Sequence, residues 1–200
     1  RSGRERCSLG MLVATIHMKY TLAIKILTVK ILIRSVLLAH PDLRKLLYRL
    51  KLSAQSDSEE KSVLKHISHF SAAMEWIPVK TALVIGFGDN IYPAVAGWAL
   101  GVEKIHLYDI RPPILIEVEA YKQFACELAD HGISLPSSDW KRWKTFEDIL
   151  ETCAATIVVD KEGFLSPLSN QKFDLIYSHS VLEHVKRRDL EILIPRMKSL

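Results

Sequence analysis

Gly86 and Gly88 stand two apart at the end of a short apolar run, Thr81-Ala82-Leu83-Val84-Ile85. Asp109 follows twenty-one residues after Gly88, at the end of a second run, Lys104-Ile105-His106-Leu107-Tyr108. Glycines so placed let the backbone turn sharply and approach a ligand more closely than a Cβ permits. A helix opening from about Ile91 directs its N–H groups at the same spot, and an acid at the second strand end can accept bonds from both hydroxyls of a ribose. These residues together read as a strand–loop–helix–strand unit that binds a nucleotide. The plainer alternative is an ordinary βαβ turn with a surface aspartate, because Ile91 occupies the place of the third glycine in GxGxxG.

Other candidates lie further along. A third run, Ala155-Thr156-Ile157-Val158-Val159, again ends in an acid, Asp160, followed by Lys161. A fourth, Phe173 to Ser178, leads into His179-Ser180-Val181-Leu182-Glu183-His184-Val185, read as a helix start. The spacing H-x-x-x-E-H is neither HExxH nor HxxEH, so no metal is expected there. Cys7, Cys126 and Cys153 are far apart and form no CxxC pair, which reads as buried, inert thiols in a reducing compartment. Trp140 and Trp143 lie among Lys141, Arg142 and Lys144, a mixture that suits nucleic-acid stacking. Five residues in an otherwise acidic region read instead as a helix start, and no nucleic-acid partner is expected.

The elements that must position these groups are those of an α/β protein. Apolar runs alternate with helices, one closing at Gly101 and a longer amphipathic one running from about Pro113 to His131 before Gly132. The expected architecture is a parallel sheet with helices on both faces, over residues 78–200. Residues 1–77 form a basic helical extension and linker. The chain's net charge of +4 conceals this division. Residues 1–52 hold eleven Lys/Arg against two acids, a net of +9, and residues 53–200 carry a net of −5. From Tyr20 to Ala39 the chain is long enough to span a bilayer, but Lys25, Lys30 and Arg34 interrupt it at a cost of about 3 kcal/mol each, so that spanning is disfavoured. On a helix these cations share one half of the cylinder with Lys19, giving a basic amphipathic helix. It either packs on its own domain, lies on a membrane surface through residues 19–50, or docks a partner. Ser56 or Asp57 is placed to cap a following helix that carries Val63, Leu64, Ile67 and Phe70.

The segment FDLIYSHSVLEHV, Phe173–Val185, is similar to the fourth-strand motif of class I S-adenosylmethionine-dependent methyltransferases of the small-molecule, ubiquinone- and menaquinone-methyltransferase-like type. VIGFGDN, Val84–Asn90, resembles the first motif of that family, with Val84 where the family has an acid and Asn90 where it has a third glycine. The resemblance covers residues 78–200. It implies a Rossmann-like fold, S-adenosyl-L-methionine as cofactor, and methyl transfer to a small-molecule acceptor in the cytoplasm. Gly86 and Gly88 would lie against the methionine and ribose, Asp109 would bind the ribose hydroxyls, and Ile110 would pack on the adenine. Asp160 would accept the adenine amino group with Lys161 beside it, while Ser178 and His179 would line the methionine end. No catalytic residue is assigned, though His179 and His184 are candidate bases. The family's sheet has seven strands, so a chain ending at Leu200 after the fourth is expected to be incomplete at its C-terminus. Two other readings stand beside this one. One is a catalytically silent methyltransferase-like binding module, and the other an NAD(P)-dependent oxidoreductase.

Overall fold

The computed structural model describes residues 59–179 and 181–200, with side chains from residue 65 onward. The basic segment 19–50 and the capping residues Ser56 and Asp57 lie outside the described residues. Four strands, β1 (Thr81–Ile85), β2 (Lys104–Asp109), β3 (Ala155–Val159) and β4 (Leu175–Ser178), form one sheet in the order β3-β2-β1-β4. Every pairing is parallel. The chain builds outward from β1 to β3 and then returns to the other side of β1, placing a topological switch point between β1 and β4. The fold is α/β, as the alternation of apolar runs and helices predicts.

Strand periodicity divides the core in two. Leu83, Ile85 and Tyr108 face a cluster with Leu165, Leu168, Leu193 and Leu200, to which helix α5 (Arg187–Ser199) contributes Leu193. The opposite face carries Ile105 and Tyr177 and is covered by α1 (Glu59–Met74) and α2 (Tyr92–Ala99). Gly97 of α2 makes that packing possible, since a Cβ there would stand 2.8 Å from Ile105 Cδ1 and 2.9 Å from Phe70 Cζ. Phe70 is completely buried, as its place on the predicted apolar face requires. The compact unit that holds the sheet runs from Ala54 to Leu200 and so takes in α1, which the sequence reading placed with the extension. Among the described residues no helix is long and apolar enough to cross a membrane.

Three element boundaries depart from the sequence reading, each for a local reason. Helix α3 spans Val118–Asp130 rather than starting near Pro113, and it leaves Cys126 exposed instead of buried, while Cys153 is buried as expected. Pro112 and Pro113 have no N–H, and the N–H groups of Ile114 and Leu115 donate to the Asp89 carbonyl at 2.9 and 2.8 Å, tying this stretch to the glycine loop. Strand β4 begins at Leu175 because Asp174 serves as a clamp. Its Oδ2 accepts from Lys80 N, Thr81 N and Thr81 Oγ1 at 3.0, 2.8 and 3.0 Å. Among the described residues after His179 the chain forms a short 3-10 turn, Leu182–His184, before α5 begins at Arg187, so the predicted helix start there is displaced. The tryptophan-rich stretch is a 3-10 turn, Asp139–Arg142, followed by α4 (Phe146–Thr152). Trp143 is buried beside Trp98 and donates to Thr152 Oγ1 at 2.9 Å.

Candidate functional site

The glycine loop after β1 turns as its sequence requires. Gly86 and Gly88 adopt φ of +76° and +77°, in the left-handed region that costs other residues about 1–2 kcal/mol. A Cβ on Gly86 would lie 2.1 Å from Val181 Cγ2, so the segment after β4 closes directly over the loop. Asn90, in the position of the third glycine, does not adopt a positive φ. Its Oδ1 instead accepts from Tyr92 N at 3.1 Å at the start of α2. Ile91 N donates to Tyr121 Oη at 3.1 Å. Two of the N–H groups expected to face a ligand are thus already engaged within the protein.

Asp109 at the end of β2 is held in place by the same loop. Its Oδ2 accepts from Gly88 N at 3.0 Å and its Oδ1 from Arg111 N at 3.2 Å. Beside it opens a cavity of about 350 Å³. Its walls come from strand ends and the segments that follow them, including Gly86, Asp109 and Ile110, the turn Lys161–Phe164, and Val181 with His184. This is the carboxyl edge of the parallel sheet, where α/β proteins bind ligands.

Asp160 lies behind that wall rather than on it. Its carboxylate accepts from Tyr108 Oη at 2.6 Å, Glu162 N at 3.1 Å and Phe164 N at 3.3 Å. Burial pushes this carboxyl up, but the Tyr108 hydroxyl and the N–H groups of Glu162, Phe164 and Gly163 outweigh it and hold it below the usual carboxylate range. Tyr108 in turn accepts from Leu165 N at 2.8 Å, and burial together with the Asp160 bond pushes its phenol well up. The Tyr108–Asp160 pair therefore shapes the 161–165 turn from beneath. Removing the hydroxyl in Tyr108→Phe leaves a buried N–H and a carboxylate oxygen short of a partner, an expected cost of about 2–4 kcal/mol in urea unfolding.

A second cluster sits at the end of β4. Ser178 pairs with Ile85 as the last rung between β1 and β4, and His179 follows directly after that rung. His179 Nδ1 lies 3.0 Å from Nε2 of His69 on α1, with ring centroids 5.2 Å apart. His69 also packs on Tyr177 at 5.2 Å. Burial, and then the neighbouring Lys65 ammonium, lower the His69 imidazole from its ordinary value. The buried Tyr177 Oη and Ser178 Oγ have no hydrogen-bond partner among the described residues.

The structure thus gathers Gly86, Asp109, Ile110 and Lys161 around one cavity, with Gly88 behind Asp109 and Asp160 beneath the wall. Ser178 and His179 lie apart from it, at the β4 end. Sequence reasoning missed Tyr108, Val181 and His69. The i, i+3 spacing of His66 and His69 on one predicted helix was the visible signal for the last. The adenosine end of S-adenosylmethionine fits this donor set, with a carboxylate for a diol and an exposed Ile110 for a base. Val181 narrows the approach to Gly86, whereas Ser178 Oγ is buried and does not line the cavity. Among the described residues no group of three or more His, Cys, Asp or Glu is arranged to hold a metal. No protein-family model, curated protein or solved structure matches the chain.

Proposed function

We propose that the chain carries the cofactor-binding domain of an S-adenosylmethionine-dependent methyltransferase of Rossmann-like type, acting on a small-molecule acceptor. The observation that carries this reading is the convergence of Gly86, Asp109, Ile110 and Lys161 on one cavity at the carboxyl edge of the sheet. When bound, the cofactor supplies an electrophilic methyl group on a sulfonium sulfur. The chain's own residues bind and align. Asp109, oriented by Gly88 and Arg111, accepts from the ribose hydroxyls. Ile110 is 47% exposed and offers an apolar face to the adenine. The turn Lys161–Phe164, set by Asp160 and Tyr108, closes the base pocket. In-line displacement then depends on holding donor and nucleophile in register and excluding water.

Calorimetry with S-adenosylhomocysteine, NAD and NADP tests the reading. S-adenosylhomocysteine is expected to bind, and Asp109→Ala to weaken it about 10- to 100-fold, the worth of charge-assisted bonds to a diol. Binding of NAD alone would replace this reading by the oxidoreductase one. A catalytically silent module is favoured by one feature, the Val181 side chain set against Gly86. Absence of binding by all three ligands would select it.

A further inference from the structure

We propose that Val181 is the specificity-determining residue of the cavity, admitting the nucleoside part of a ligand and keeping an amino-acid tail attached at its 5′ carbon away from Gly86. The inference rests on the methyltransferase reading, under which the methionine portion lies against the glycine loop, and adds to it which ligands the chain tells apart. Three observations carry it. Val181 and Gly86 both line the cavity, and the Val181 isopropyl group fills the space in which a single methyl on Gly86 would have to stand. Gly86 cannot withdraw, because its N–H donates to the Tyr108 carbonyl at 2.7 Å and its backbone is set at φ +76°. Val181 is fixed in turn by its neighbours. Its carbonyl accepts from His184 N at 2.8 Å, and Leu182 packs on the core cluster that holds Leu83, Ile85 and Leu193.

The linings of the cavity are thus unlike. Asp109, Ile110 and the turn Lys161–Phe164 set a carboxylate beside apolar surface, which suits the diol and base of an adenine nucleoside. The chain after β4 contributes Val181, Val185 and Leu193 as its apolar members. Its two polar ones are engaged, His184 beside Glu183 at 3.4 Å and Asp189 beside Arg188 at 3.4 Å. An amino-acid tail set against Val181 would shed water from an ammonium and a carboxylate and meet an isopropyl group in return, which costs affinity. The volume, about 350 Å³, is at the small end for ligand pockets and leaves little room elsewhere for the tail. Alanine at this position removes both γ-methyl groups and uncovers Gly86, opening a path for the tail along the glycine loop.

The test compares adenosine with S-adenosylhomocysteine, in which a homocysteine thioether replaces the 5′-hydroxyl, by calorimetry on the full chain. Wild type is expected to bind S-adenosylhomocysteine no more than about threefold tighter than adenosine, because the tail gains nothing at Val181. Val181→Ala and Val181→Gly should each raise that preference about tenfold or more, the contribution of one charge-assisted hydrogen bond to the tail. Adenosine affinity should change less than about twofold in either variant. The wild-type comparison stands without the variants, and far-ultraviolet circular dichroism confirms that at least one of them is folded. A larger wild-type preference for S-adenosylhomocysteine, or a small one that does not rise in either variant, overturns the proposal and leaves the methyltransferase reading standing. Adenosine failing to bind wild type overturns the proposal as well. Failure of both ligands to bind wild type and both variants overturns the methyltransferase reading too.

Discussion

Gly86→Ala is expected to be the most damaging single substitution in the described domain. Two independent costs meet at that residue. The backbone stands at φ +76°, which costs an alanine about 1–2 kcal/mol. The new methyl would also sit 2.1 Å from Val181 Cγ2, 2.8 Å from its Cβ and 2.9 Å from its Cγ1, so the whole isopropyl group must move. Overpacking of this kind typically costs about 1–3 kcal/mol. The total of about 2–5 kcal/mol is a large part of the margin of a small domain. Chemical unfolding measures it. Val181→Ala in the same chain should recover the steric part and leave the backbone part, because it makes room for the methyl but cannot change φ. Full recovery in the double variant would show that the loop tolerates alanine at this φ. No recovery would show that the loop, rather than the contact with Val181, sets the cost.

Acidification is expected to produce the second large effect, through histidines buried without charge. His66 is 8% exposed, and its Nδ1 has no hydrogen-bond partner among the described residues. Burial, with smaller contributions from Lys65, His69 and His179, lowers its pKa from 6.5 to about 3. His106, packed edge-on to Phe173 at 5.1 Å, is lowered by burial and then by Lys104. Between pH 6.5 and about 3 the unfolded chain binds a proton at His66 that the folded chain refuses. Stability therefore falls as the pH falls, by about 1.4 kcal/mol per unit per histidine. From pH 6.5 to 5 His66 alone should remove about 2 kcal/mol. The depressed carboxyls of Asp160 and Asp174 act in the same direction at lower pH, where their protonation is coupled to unfolding. Urea midpoints from pH 7.5 to 5 provide the measure, with His66→Leu as the comparison. The variant should lose about one proton's worth of slope. Identical slopes in the two chains would place the acid sensitivity elsewhere.

Much of the fold was legible before any coordinates. Strands β1 and β3 fall where the apolar runs place them, because short β-branched runs bounded by turn residues leave little choice of element. The two positive-φ glycines and the acid at the end of β2 were also readable, since only glycine meets that backbone demand without strain. The boundaries that moved are those decided by partners distant in sequence. Asp174 clamps Thr81 across 93 residues, and Asp89 holds Ile114 and Leu115 through its carbonyl.

The candidate site divides in the same way. Residue type and local spacing determined that Gly86, Gly88, Asp109 and Asp160 stand at strand ends, and parallel pairing then brings three of those ends together. The role of each side chain was decided only by tertiary contacts. Asp160 is drawn under the wall by Tyr108, 52 residues away, and so shapes the pocket instead of lining it. His69 reaches His179 across 110 residues, a meeting that no periodicity within a single helix encodes. Sequence patterns record the local preferences of the backbone and the faces that must be buried. Hydrogen bonds between side chains depend on directions and distances that exist only once the helices have packed on the sheet.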